Sequence, residues 1–228
     1  LILILFYTNP INALELRGSF FQGNLIVGKI DSKSKIFVDK KKIKVSADGY
    51  FVFGLNKDRK NDVFIEVFNN GKTETIIKKV YKKKYQIQRI NGLPSKKVTP
   101  PKEFYKRIKD DNKLIAEARA VASELTFFSN EFKLPIENKI ITGVYGSQRI
   151  LNGIPKSPHY GLDFAAKEGT EIKSMLDGIV TLSEADLYYT GGTIIFDHGH
   201  GVSTLYMHLK DLYFPWQQHP IVYRFHEN

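Results

Sequence analysis

A mainly β protein, with one helix dividing two β regions, is the fold class this sequence predicts. Three observations carry that expectation. Short runs of aromatic and β-branched residues, punctuated by turn residues, extend from Leu14 to about Gln88 and resume from Phe132. Asn70-Gly71 separates two such runs and supplies the positive φ angles that a tight hairpin needs. Between the β regions lies a single stretch whose apolar residues recur at helical spacing.

At 228 residues the chain is long enough for one large domain or two ordinary ones, each with a real core. Its 42% hydrophobic and 25% charged residues are ordinary for a folded soluble protein. A net charge of +10 attracts anionic partners in general. In a chain rich in Lys, Ile and Asn, however, the runs Lys40–Lys42 and Lys82–Lys84 read as solvated strand faces, and no nucleic-acid partner is expected. The absence of cysteine excludes a disulfide framework, a thiol nucleophile and a Cys-ligated zinc, so any metal would rest on His and carboxylate.

Taken in order, residues 1–13 read as part of a signal peptide. The apolar stretch Leu1–Tyr7 is followed by the breaker Asn9-Pro10 and a small residue at Ala13. The stretch is far shorter than the roughly 20 residues of a membrane span. Residues 14–90 form a small β-sandwich-like domain. In it Val63, Ile65 and Val67 share one strand face and a return strand runs through Thr75 and Ile77. With no histidine in this region, a spacer or docking role is its default. Residues 91–131 hold a proline-punctuated linker and a helix from about Lys102 to Leu125, with Phe104, Ile108, Ile115, Ala118, Val121 and Leu125 on one stripe facing a neighbouring domain. Residues 132–212 form a second β-domain, dense in glycine. Residues 213–228 lack both its alternation and its turns.

All six histidines lie beyond residue 158. The informative run is Ser157-Pro158-His159-Tyr160-Gly161-Leu162-Asp163-Phe164. As a strand it would present His159, Gly161 and Asp163 on one face and send Tyr160, Leu162 and Phe164 into the core. An imidazole and a carboxylate flanking a glycine leave room for an ion, and zinc accepts both donors at about 2.0–2.2 Å. On the pattern alone, a surface histidine beside an aspartate is the better reading.

The ordered set of motifs around it adds more. Gly143-Val144-Tyr145-Gly146-Ser147-Gln148-Arg149, Asn152-Gly153, Pro158 through Ala165, Gly169-Thr170, Asp177-Gly178-Ile179-Val180, Tyr189 through Thr193, Asp197 through Gly201 and Leu205 through Leu209 resemble, in order and spacing, the lysostaphin/LytM-type zinc metallopeptidases. The resemblance covers roughly the last third of the chain. It implies a barrel-sandwich-hybrid β-domain, a Zn2+ cofactor and cleavage of peptide cross-links in peptidoglycan. It also implies that His159 and Asp163 are zinc ligands and that His208 is the catalytic histidine, able to move a proton or steady a developing oxyanion. His198 and His200 read as turn residues near the groove rim rather than ligands.

The resemblance stops after Leu212. The later His-x-His pair that would supply the third ligand has no counterpart, and no glycine follows Gly201. His219 and His226 have spacings that fit no such pair. The expectation is therefore an exported enzyme of the periplasm or cell envelope, acting on peptidoglycan peptides, with possible cell-wall or division partners and no stable membrane span. Its active site is incomplete in this chain, which should hydrolyse little, and its substrate-binding residues are not identifiable. The competing reading is a non-catalytic relative that activates cell-wall amidases.

Overall fold

The computed structural model describes residues 14–137 and 140–212, with the backbone of 222–225. The expected signal peptide at 1–13 lies outside the described residues, as do His219 and His226. The chain divides into two compact units, residues 1–83 and 84–228.

The first unit contains strands β1 (Glu15–Arg17), β2 (Leu25–Lys29), β3 (Lys35–Val38), β4 (Lys41–Ile43), β5 (Tyr50–Gly54), β6 (Val63–Asn69) and β7 (Lys72–Lys78). They form two sheets, ordered β1-β2-β5 and β4-β3-β6-β7. Both sheets feed one core: Ile26, Phe51 and Phe53 from the first meet Ile36, Val38, Val63, Ile65 and Val67 from the second. This is the expected small sandwich. Val63, Ile65 and Val67 are buried as their alternation requires. On the return strand Ile76, opposite Ile65, turns inward and Ile77 is exposed. The turn between them has φ of 48° at Asn70 and 73° at Gly71, the geometry expected of Asn-Gly.

The second unit contains β8 (Ile87–Ile90), the short helix α1 (Ser95–Val98), α2 (Tyr105–Ala120), β9 (Ile141–Gly143), β10 (Gln148–Leu151), β11 (Ile154–Pro155), β12 (Asp163–Phe164), β13 (Glu171–Lys173), β14 (Ile179–Leu187), β15 (Gly191–Asp197), β16 (Ser203–Asp211) and β17 (Val222–Phe225). A five-stranded sheet ordered β13-β17-β16-β15-β14 carries the core of Ile136, Ile172, Ile194, Phe196, Tyr206 and Leu209. Two small sheets, β11-β10-β8 and β12-β9, hold the candidate site. The unit begins ahead of the expected boundary at 90, because β8 pairs in parallel with β10, Gln88 opposite Arg149. The tail expected to lack strand character contributes β17, which pairs with β13 and β16.

Helix α2 is shorter than expected. A single 3-10 turn covers Lys102–Phe104, and α2 gives way at Val121, which is extended. Residues beyond it bond elsewhere: the Ser123 amide donates to the Asp197 carboxylate (3.2 Å) and its carbonyl accepts from the His200 amide (3.0 Å). The stripe of Phe104, Ile108, Ile115 and Ala118 is turned inward as expected, but Val121 is exposed. Its partners are β14 and β15, within the β region 132–212 that follows the helix. Arg107 and Asp111 fix that docking through Asp186 (2.8 Å) and the Tyr188 amide (2.7 Å). Among the described residues no helix is long and apolar enough to cross a membrane.

Candidate metal centre

The run around His159 is not the strand that its alternation suggests. Residues 157–162 are irregular and only Asp163–Phe164 enters a ladder, against β9. Pro158 has no N–H to give a neighbouring strand. His159 instead makes two local backbone bonds: its amide donates to the Ser147 carbonyl (2.8 Å) and its carbonyl accepts from the Gly146 amide (2.7 Å). Tyr160 is consequently 63% exposed and Leu162 45%, where the strand reading put both in the core. Only Phe164 packs against it.

The loop nevertheless brings the two expected ligands together. His159 is buried, and its Nε2 lies 3.0 Å from Asp163 Oδ1. Its Nδ1 is buried with no hydrogen-bond partner. Two glycines make the approach possible. A Cβ at Gly161 would sit 3.3 Å from His159 Nε2, and one at Gly143 would sit 2.3 Å from Asp163 Oδ2. The carboxylate thus lies against bare backbone. Its Oδ2 accepts from Arg149 Nη2 at 2.5 Å, and Arg149 Nε points at Gln88 Oε1 (3.4 Å).

His208 occupies a β-bulge rather than a regular strand position. The β15–β16 register slips between Gly192 opposite Leu209 and Ile194 opposite Tyr206, so Met207 and His208 of β16 face Thr193 alone. His208 takes up the slack with φ of 60°, its amide bonded to the Thr190 carbonyl (2.8 Å). It therefore does not share a face with Tyr206, as strict alternation would have it: Tyr206 and Leu209 are buried and His208 reaches solvent. Protein packed about the imidazole holds its pKa below the ordinary histidine value. The Asp163 carboxylate pulls it back up, and Lys97 and Arg149 push it down. The neutral imidazole therefore prevails at pH 7.

His198 is not at a rim. It is completely buried at the end of β15. Its Nδ1 lies 2.7 Å from the Asp177 carbonyl, which can only accept, so Nδ1 carries the proton and Nε2 accepts from the Thr204 hydroxyl (2.7 Å). Both nitrogens are committed to structure, which excludes metal ligation. Burial lowers its pKa. His200 packs its ring against Phe128 at 5.0 Å.

Two donors that bind one zinc at about 2.0–2.2 Å stand roughly 3–3.5 Å apart, so the His159–Asp163 spacing fits two corners of a zinc site. Among the described residues, no group of three or more His, Cys, Asp or Glu side chains is placed to share a metal. The residues that sequence reasoning left without a role are Arg149 and Gln88. Arg149 stood within a recognised motif, whereas Gln88 gave no signal, reaching the site across 61 residues of sequence.

A buried imidazole beside a carboxylate is therefore the pair that the described residues present here. Comparison with known proteins finds a likeness in this region. Residues 157–220, which include His159, Asp163 and His208, match peptidase family M23. The match runs past Leu212, where the resemblance had been expected to end. A stretch of 52 residues is 39% identical to the DD-carboxypeptidase/endopeptidase Mpg of Neisseria meningitidis serogroup B (strain ATCC 13091 / M2091) and to that of Neisseria gonorrhoeae. That stretch is 23% of this chain and spans only 12% of those relatives. The likeness to peptidase family M23 is thus confined to residues 157–220 of the second unit.

Proposed function

We propose that the chain belongs to a zinc metalloendopeptidase that cleaves peptide cross-links of bacterial peptidoglycan outside the cytoplasm. The observation that carries this reading is the 3.0 Å convergence of His159 Nε2 and Asp163 Oδ1 inside the stretch that matches M23. His159 and Asp163 would hold the ion, which supplies an acidified water and a polarised scissile carbonyl. Asp163 is kept in place by Arg149, in room left by the bare backbone of Gly143. His208, neutral at pH 7, can take a proton at its imidazole and return it to the leaving amine. The peptidase name of the Neisseria relatives agrees with the reaction class.

The lack of a third clustered donor among the described residues favours a second reading, a non-catalytic relative that regulates cell-wall amidases. Metal content after exhaustive dialysis separates the two. The peptidase reading expects zinc to be retained, and peptides to be released from purified sacculi once a third donor completes the site, with both properties lost in His159→Ala and in Asp163→Ala. Cleavage that persists in metal-stripped Asp163→Ala defeats it, and zinc-free wild type points to the regulator.

A further inference from the structure

We propose that Arg149, braced by Gln88, is a positioning residue that makes Asp163 present a single oxygen, Oδ1, beside His159. The inference rests on the zinc reading above and assigns a role to two side chains ahead of the matched stretch.

A carboxylate on a short side chain turns about a broad torsion and can offer either oxygen, or both, to a cation. Two contacts remove that freedom at Asp163. Arg149 Nη2 takes Oδ2 at 2.5 Å. Oδ1 lies 3.0 Å from His159 Nε2. Gly143 leaves room for this placement, since a Cβ there would come within 2.3 Å of Oδ2. Arg149 is itself directed by the fold: β10 pairs in parallel with β8, which puts Gln88 opposite it. Gln88 Oε1 stands 3.4 Å from Arg149 Nε, and Gln88 Nε2 donates to the Thr142 carbonyl of β9 at 3.2 Å. β9 is also the strand against which Asp163 pairs. A relay from the β9 backbone through Gln88 and Arg149 thus ends on the carboxylate that β9 supports.

Charge alone gives no reason for this arrangement. A guanidinium beside a cation site repels the cation, so a site chosen for attraction would carry none. Its planar fork instead fixes direction, as an ammonium does not. Hydrogen-bond partners of metal ligands act in this way, and losing one costs about 10- to 100-fold in metal affinity.

The test is titration of the whole chain with Co(II), read by visible absorption, with Zn(II) affinity from competition and folding checked by circular dichroism. Arg149→Met is expected to lose about 10- to 100-fold in affinity for both ions and to alter the shape of the Co(II) band. Arg149→Lys, which keeps charge but not the fork, should recover part of the affinity, and Gln88→Ala should show a smaller loss than Arg149→Met. Should Arg149→Met misfold, Arg149→Lys and Gln88→Ala still decide the matter, because unaltered affinities and spectra in both overturn the proposal. A wild-type chain that binds normally beside an indifferent or tighter-binding Arg149→Met removes the positioning role and leaves the zinc reading standing. A wild type with no Co(II) spectrum removes both.

Discussion

In the first unit β6 alternates strictly, with Val63, Ile65 and Val67 buried while Phe64 is 47% and Phe68 36% exposed. In the second unit β16 buries Tyr206 and Leu209 and places His208, in the bulge between them, outside. The same contrast holds elsewhere. The first unit has no histidine and joins two regular sheets around one core. The second assembles its site on strands of two to four residues, β9 to β12, and on an irregular loop. Regular alternation buries apolar area efficiently, but it can only offer side chains at fixed intervals. Bringing an imidazole, a carboxylate and a guanidinium to one point needs the interruptions that Pro158 and Gly143 supply.

Two glycines break this comparison most forcefully, because each permits a close approach of a different kind. A Cβ at Gly28 would fall 2.0 Å from Cζ of the fully buried Phe51, and one at Gly143 would fall 2.3 Å from Asp163 Oδ2. Gly28→Ala is expected to cost about 3 kcal/mol, the upper end for overpacking a core that cannot give way. Chemical denaturation should show that loss in the first unit, with Co(II) binding by the chain unaffected. Gly143→Ala meets a partly exposed carboxylate that can swing aside, so its stability should fall by only about 1 kcal/mol. Its metal affinity should fall with the displaced carboxylate, by about tenfold or more. If Gly143→Ala binds metal normally, the bare backbone is not what makes room for Asp163.

The contrast also decides how much was legible in the sequence. The Asn70-Gly71 hairpin and the buried face of β6 could be read directly, since alternation and turn chemistry are local. The turn at Asp39-Lys40 could not, although it has the same left-handed geometry with φ of 50° and 66°, because neither residue advertises it as glycine does. At the site, the four-residue spacing and its motif context paired His159 with Asp163 correctly, but through the wrong geometry. Proline removed the strand and a loop restored the contact. The place of His208 depended on a bulge set by pairing with β15, which no one-strand pattern contains. Gln88 was invisible because only the parallel pairing of β8 with β10 brings it within reach of Arg149. Likewise His198, in a His-Gly-His run that invites a metal reading, is a structural residue because two distant partners claim both its nitrogens.

His198 sharpens the comparison through pH. Burial is the first cause of its lowered pKa, so the unfolded chain binds this proton more readily than the folded one. The second unit should therefore hold full stability above the unfolded value of about 6.5 and lose it as pH falls below, by at most about 1.4 kcal/mol per pH unit from this residue. His208, shifted the same way, adds a contribution of the same sign. His198→Leu should remove the His198 part of the slope. It should also cost about 2 kcal/mol at pH 7.5, because the Asp177 carbonyl and the Thr204 hydroxyl lose their partner. Urea unfolding of both proteins at pH 7.5 and 5.5, followed by resonances of the second unit, measures this. An unchanged pH slope in His198→Leu would show that the buried imidazole does not set it.

The first unit should show no such window near pH 6, since its clearest titrating contact is a carboxylate. Asp39 sits in the left-handed turn between β3 and β4. Its Oδ2 faces Arg59 Nη1 at 2.5 Å and its Oδ1 faces Arg59 Nη2 at 3.0 Å, while the Phe64 amide donates to Oδ1 at 3.2 Å. The hydrogen-bonded guanidinium holds the Asp39 carboxyl below its usual range. The stability it contributes is present above the unfolded value of about 3.9 and is lost as pH falls through the folded one. With 36% of the Asp39 side chain in solvent, screening keeps the ion pair small, so Arg59→Met should cost about 0.5 kcal/mol at pH 7. That difference should shrink toward pH 3, as the wild type loses the same contact by protonation, and salt should diminish it at pH 7. The two units would then part company along one pH titration. The second weakens below about 6.5 and the first only below about 4, and a shared midpoint in the Arg59→Met and His198→Leu proteins would mean that neither contact governs its unit.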